Sequence, residues 1–300
     1  MKNSRFDPFS RITLDRGIPG EYNTHDVRMH RTIFADGGFC MTCPIIDFHT
    51  HPFIDPLNNI CNHKDYCDMS ADNTLEIFGA LGISTICGSV VCAHNDRFSS
   101  MWEKIRANND TALALRERYG SFYVPGFHVH PGYIEESLRE IRTMHEKNVR
   151  LIGELVPYID GWKDYSCEAF SILLEEAGRH NMVVNFHSSG DDEMDAMVQR
   201  HKDVVFVAAH PGEYAALMRH IERMKMSENY YLDLSGTGLF RYGMLRRIID
   251  EIGADRVLFG SDFPTCNPAM FLGGVSNDPL ITDEEKEKIL YLNAKRLLGL

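Results

Sequence analysis

The sequence predicts an α/β fold, a (β/α)8 barrel with an N-terminal extension, and three observations carry that expectation. Eight short β-rich runs recur, at 44–49, 83–91, 121–129, 149–155, 182–187, 203–209, 229–234 and 256–261. Most lie about 23 to 39 residues apart, room for one strand, one helix and two short loops. The runs are nearly continuously apolar, as in parallel strands buried on both faces. The segments between them carry helical stripes and caps. A doubly wound open sheet is the alternative, but no glycine-rich dinucleotide fingerprint follows the first run.

Residues 1–43 carry several charges and little periodicity, and read as an extension packed on a barrel that spans 44–300. Cys40 and Cys43 form a CxxC; without a second matching pair it reads as ordinary thiols rather than half a zinc site. Among the helices, "SCEAFSILLEEAGRH" offers Ser166 as N-cap and puts Phe170, Leu173, Leu174 and Ala177 on one stripe. "TDEEKEKILYLNAKRLLGL" opens with a capping box, Thr282 and Glu285, and continues its stripe through Ile289, Leu290, Ala294 and Leu297.

Composition narrows the function. A chain of 300 residues with 44% apolar residues can build one large core, and its formal charge of −12 repels phosphate backbones and anionic lipid. Nucleic acid and membranes are therefore not expected partners; a small molecule is. The first residues lack an apolar leader core, no stretch reaches spanning length, and eight scattered cysteines read as reduced thiols. The expectation is a cytoplasmic protein, with a homo-oligomer left open.

The chemistry should lie where the runs end, since barrel enzymes work at the C-terminal ends of their strands. In "IIDFHTHPF", Asp47, His49 and His51 alternate and share one face of an extended chain. Later runs end in His128 and His130, carry Glu154, and end in His187, His210 and Asp262. His49 and His51 can lean onto one ion, with His187 and Asp262 completing the shell and Asp262 also able to accept a proton. Singly, each of these residues has a bland reading: a satisfied histidine, or a helix cap at Asp262. Their joint recurrence at successive strand ends favours a metal site. Asp47, one step deeper, reads as an acceptor that orients a ligand histidine.

With these residues in view, "DFHTHPF", "VVNFHSSG", "VVFVAAHPG", "RVLFGSDFP" and "ILYLNAKRLLGL" resemble the amidohydrolase superfamily. The branch is amidohydrolase-2, which includes aminocarboxymuconate semialdehyde decarboxylase-like enzymes, and the resemblance runs from about residue 44 to the end. It implies a barrel with one or two divalent metals, most often Zn²⁺, with His49, His51, His187 and Asp262 as ligands. It implies His210 as a second-metal ligand or as an acid/base group. Glu154 stands where relatives place a bridging ligand; an orienting carboxylate or a structural ion pair are its other readings. His128 and His130 could both enter the pocket.

Two reactions fit that shell. The expectation is hydrolysis of an amide, ester or lactone of a small carboxylated substrate, with Asp262 and His210 catalytic; this rests on how often the superfamily hydrolyses. The alternative is metal-dependent, non-oxidative decarboxylation of a small unsaturated or aromatic acid. A non-catalytic metal-binding barrel and a metal-independent lactonase complete the range. Loops after the strands supply Arg97 and Arg241 as expected clamps for a substrate carboxylate, with His130 as a further contact. His63, Lys64 and Asp65 add polarity to the first of these loops.

Overall fold

The computed structural model describes residues 43–55, 60, 70–238 and 241–300. Residues 1–42, with Cys40 and nearly all of the expected extension, lie outside the described residues, as do His63, Lys64 and Asp65. Eight strands form one parallel sheet in sequence order: β1 (Ile45–Asp47), β2 (Ile83–Ser89), β3 (Tyr123–Phe127), β4 (Leu151–Leu155), β5 (Val183–His187), β6 (Val205–Ala209), β7 (Tyr230–Asp233) and β8 (Val257–Leu258). Each lies within one of the expected runs. The ring closes through the segments that follow β1 and β8. Phe48 N–H donates to Phe259 O at 2.8 Å, Asp262 N–H to His49 O at 2.8 Å and His51 N–H to Phe263 O at 2.6 Å. The protein is the (β/α)8 barrel its spacing predicts.

The helices are α1 (Ala71–Ala80), α2 (Met101–Tyr119), α3 (Ile134–Glu146), α4 (Pro157–Asp160), α5 (Glu168–Arg179), α6 (Asp191–Arg200), α7 (Tyr214–Met226), α8 (Met244–Ile252), α9 (Pro268–Ser276), α10 (Asp283–Glu287) and α11 (Asn293–Leu298). Strand alternation sorts the core into two layers. Val183 and Val207 join Ile46, Phe48, Cys87, Leu151 and Leu258 in one cluster with Ala294 and Leu298 of α11. Val184, Phe186, Phe206, Ala208, Tyr230 and Leu232 point the other way, into the layer that holds Phe170, Leu173, Leu174 and Ala177 of α5. Continuing the first set along β5 and β7 brings Asn185, His187 and Asp233 to the interior near the strand ends.

Two local expectations shift. The helix expected to start at Ser166 is capped at Cys167 instead. Ser166 donates both its N–H and its hydroxyl to Asp164 Oδ1, each at 2.7 Å, so its side chain is committed to a turn. Several strands also stop short of their runs, because the last residues leave the ladder to form the rim. Thr282 and Glu285 do form the reciprocal capping box at α10. No described helix is long and apolar enough to cross a membrane. The described cysteines, Cys43, Cys87, Cys92, Cys167 and Cys266, are free thiols.

Candidate metal centre

β1 ends at Asp47, and His49 and His51 follow on chain that stays paired to the segment after β8. That pairing keeps the two imidazoles on one side, their centroids 5.1 Å apart and edge-on. Gly260 makes room for them: a Cβ there would lie 2.7 Å from His49 Cβ. Glu154 arrives from β4, His187 ends β5, and His210 and Asp262 follow β6 and β8. His210 and Asp262 are held at φ of 71° and 62°, a left-handed conformation that costs a non-glycine residue about 1–2 kcal/mol. In both, the turn out of the strand aims a side chain into the barrel mouth.

The hydrogen bonds assign the donor atoms. His49 Nδ1–H donates to Asp233 Oδ2 at 2.8 Å, and His51 Nδ1–H to the Ser89 carbonyl at 3.0 Å. Both Nε2 atoms therefore face inward as acceptors, 3.2 Å apart. Two lone pairs at that separation need a cation or a proton between them. Glu154 Oε2 lies 3.4 Å from His49 Nε2 and 3.2 Å from His51 Nε2; Asp262 Oδ1 lies 3.7 and 3.5 Å from the same atoms. Four donors bound tetrahedrally at about 2.0–2.1 Å stand about 3.3–3.4 Å from one another. The five separations scatter around that edge length, so the donor set fits a divalent ion.

The other oxygen of Glu154 meets a second pair. His187 Nδ1 lies 3.0 Å from Oε1 and His210 Nε2 lies 3.5 Å from it. Burial disfavours charge on both His51 and Glu154, yet each answers the other. Asp262 and Glu154 outweigh the burial of His51 and push it up to about 9. For Glu154, burial is overcome by His49 and, where the imidazoles carry protons in place of an ion, by hydrogen bonds from His187, His49 and His51, which hold it well below the ordinary carboxylate range. Asp47, where burial dominates, is pushed up to about 7; its Oδ1 accepts from the backbone N–H groups of His49 and Ser261. The cluster is thus a pool of negative charge that demands positive charge among its imidazoles.

A cavity of about 640 Å³ opens above this cluster, lined by Glu154, His187, His210 and Asp262 with Tyr158, Ile159, Thr265 and Cys266 among others. Arg97, Arg241 and His130 are not among its described lining residues. Arg97 is exposed, and Arg241 pairs with Glu213. His130 spends both ring nitrogens on backbone: Nε2–H donates to Asp160 O at 2.9 Å, and Nδ1 accepts from Gly132 N–H at 2.8 Å. His128 Nε2–H donates to Val90 O at 3.0 Å. His130 is thus tied to the end of α4 and His128 to the segment after β2, and neither is among the described residues that line the cavity. Lys104, fully buried, adds an ion pair to Asp160 at 2.9 Å.

Three residues of the site escaped the sequence reading. Asp233 ends β7, near the close of the seventh run, in "YYLDLSG", a polar residue in phase that the strand-end criterion could have found. Ser235 follows it. Tyr158, whose ring stands 5.2 Å from that of His187, carries no comparable signal, because its place depends on the turn of α4.

The sequence matches the amidohydrolase family over residues 46–300. No curated protein matches it. Among solved structures, 2,6-dihydroxybenzoate decarboxylase from Rhizobium is similar, with a TM-score of 0.70 at 17% identity, covering 85% of this chain and 98% of that one. The 5-carboxyvanillate decarboxylase from Sphingomonas paucimobilis gives a TM-score of 0.61 at 14% identity, covering 86% and 99%. A dihydroxybenzoic acid decarboxylase from Polaromonas sp. JS666, with bound manganese and the inhibitor 2-nitroresorcinol, gives 0.65 at 15% identity, covering 86% and 97%. At these identities the likeness shows the fold.

Proposed function

The chain belongs to the amidohydrolase family, and from that premise we propose that it is a metal-dependent decarboxylase, removing the carboxyl group of a small unsaturated or aromatic acid as CO2 without an oxidant. The observation that carries the reading is the set of four converging donors, His49, His51, Glu154 and Asp262, beneath a cavity whose described walls offer neither Lys nor Arg. An anionic substrate would be repelled by Glu154 and Asp262 alone. One divalent ion, Zn²⁺ or Mn²⁺, would cancel those two charges and offer the substrate carboxylate a cation at close range. The solved structures named as decarboxylases support this reaction over the hydrolysis expected from family habit.

When bound, the ion supplies a charge anchor and Lewis acidity for the oxygen substituents of the substrate. In this reading His49, His51, Glu154 and Asp262, by holding the ion, would replace the clamp expected of Arg97 and Arg241. His187, set on the outer oxygen of Glu154, and Tyr158 border the space left for the substrate. His210 carries the proton: Nε2 delivers it to the carbon bearing the carboxylate, the C–C bond breaks as CO2 leaves, and the electron pair returns to the ring or double bond. Neutral His210 is then reloaded at Nε2 from the cavity, so each turnover consumes one proton and needs no redox partner. Asp262 shares the cavity wall with His210 and would help to hold the ion from the end of β8.

The test is to incubate Zn²⁺- and Mn²⁺-loaded protein with 2,6-dihydroxybenzoate, 5-carboxyvanillate and a panel of esters, lactones and amides, following CO2 release and absorbance. CO2 from at least one acid, lost in His49→Ala, is expected. Opening of an ester, lactone or amide with no CO2 from any acid would overturn the reading and return the same donors to hydrolysis.

A further inference from the structure

We infer that Asp233, acting through Ser235, is the positioning residue that sets the tautomer of His210, leaving Nδ1 protonated and Nε2 as the atom that meets the substrate. The inference takes its functional meaning from the role proposed for His210, but its chemistry stands on hydrogen bonds alone.

Asp233 is fully buried and collects five donors. Oδ2 accepts from His49 Nδ1–H at 2.8 Å and from the Asn185 amide at 3.3 Å. Oδ1 accepts from Ser235 N–H at 3.0 Å, from His210 N–H at 3.4 Å and from the Ser235 hydroxyl. A carboxylate so surrounded is ionised and can only accept. The single hydroxyl proton of Ser235 is therefore directed at Asp233, and Ser235 Oγ keeps only lone pairs for its other neighbour. That neighbour is His210 Nδ1, at 3.0 Å. An oxygen with no proton to give requires a proton on the nitrogen, so Nδ1 carries the hydrogen and Nε2 the lone pair.

The His210 ring is packed between neighbours, its centroid 5.3 Å from that of His49 and 4.9 Å from that of His187. It lies against the backbone at Gly236, where a Cβ would fall 2.3 Å from His210 Nδ1, and Gly236 itself sits at φ +62°. Nε2 consequently points into the cavity, 3.5 Å from Glu154 Oε1. One carboxylate thus sets two imidazoles, His49 directly and His210 through a hydroxyl, so that both present Nε2. Without the hydroxyl, the opposite tautomer would gain a bond from Nε2–H to Glu154, and the resting side chain would be blocked as a proton acceptor.

The test is the tautomer itself. Full-length protein labelled with nitrogen-15 at histidine, held at about pH 8.5 where an ordinary imidazole is neutral, is studied by long-range proton–nitrogen correlation, with His210 assigned by His210→Gln. Wild type should show a protonated Nδ1 and an unprotonated Nε2. Ser235→Ala should move most of the population to the Nε2–H form, and Ser235→Thr, which restores a hydroxyl, should return the wild-type signature. A wild-type signal with Nε2 protonated overturns the inference even if Ser235→Ala fails to fold. So does a folded Ser235→Ala that keeps the wild-type pattern. The spectra need no turnover, so an absence of CO2 release would sink the proposed reaction and leave this inference to stand or fall on its own.

Discussion

A buried carboxylate is tolerated only where positive charge or hydrogen bonds answer it. Glu154, 2% exposed, is answered at Oε1 by His187 Nδ1, 3.0 Å away, while Oε2 faces the Nε2 atoms of His49 and His51 and needs an ion or protons between them. Its charge, not its shape, is what a bound ion would use. Glu154→Gln keeps the shape and removes the charge. Metal analysis by mass spectrometry with chelator competition should find about one ion per wild-type chain, and an affinity at least about tenfold weaker in the variant. Two ions in wild type would instead make His187 and His210 ligands. At this scale much was legible. His49, His51 and Asp262 betray themselves as polar residues in phase at the ends of apolar runs, and Asp233 does so too. The consumption of His130 by the Asp160 and Gly132 backbone was not legible, since a ring looks equally available until the turn beneath it is known.

Among elements, the packing of α7 on β7 shows how a buried titratable group shapes stability. His220 on α7 pairs through Nδ1 with the Tyr230 hydroxyl on β7 at 2.9 Å. Burial, reinforced by the Arg223 guanidinium, pushes His220 down to about 3. An unfolded histidine titrates near about 6.5. Between those values the unfolded chain binds a proton that the folded chain refuses. The stability His220 allows is therefore complete above about pH 6.5 and drains as pH falls toward about 3, by up to roughly 1.4 kcal/mol per pH unit. Denaturant unfolding of His220→Gln should lose stability less steeply than wild type between about pH 6 and about pH 4; equal slopes would show that His220 does not drive the acid limb. Elements were readable where local chemistry decides, as at the Thr282–Glu285 capping box. They were misread where a neighbour intervenes, as when Asp164 takes the Ser166 hydroxyl.

For the whole molecule, closure of the barrel gathers Asp47, Glu154, Asp233 and Asp262 around one end of an already acidic chain. A bound cation should then stabilise the fold as well as serve the reaction. At an ion concentration about a hundredfold above Kd, linkage contributes about 2.7 kcal/mol. A thermal scan after chelator treatment should therefore show Tm lower by roughly 4–5 °C, recovered on adding Zn²⁺ or Mn²⁺. An unchanged Tm in a protein shown to have lost its ion would mean that the histidines neutralise the cluster by protonation alone.

The sequence by itself determined the order of eight strands and helices and the polar residues that punctuate them, because hydrophobic period, caps and phase are written along one stretch of chain. Tertiary structure decided which of those residues meet. It brought Glu154 against His49 and His51, with Asp262 beside them, placed His187 on the outer oxygen of Glu154, left Arg97 and Arg241 outside the described cavity wall, and joined Asp233 to His210 through Ser235. The physical reason is that spacing along a strand is local, whereas the separation between two strand ends is set only when the whole ring closes.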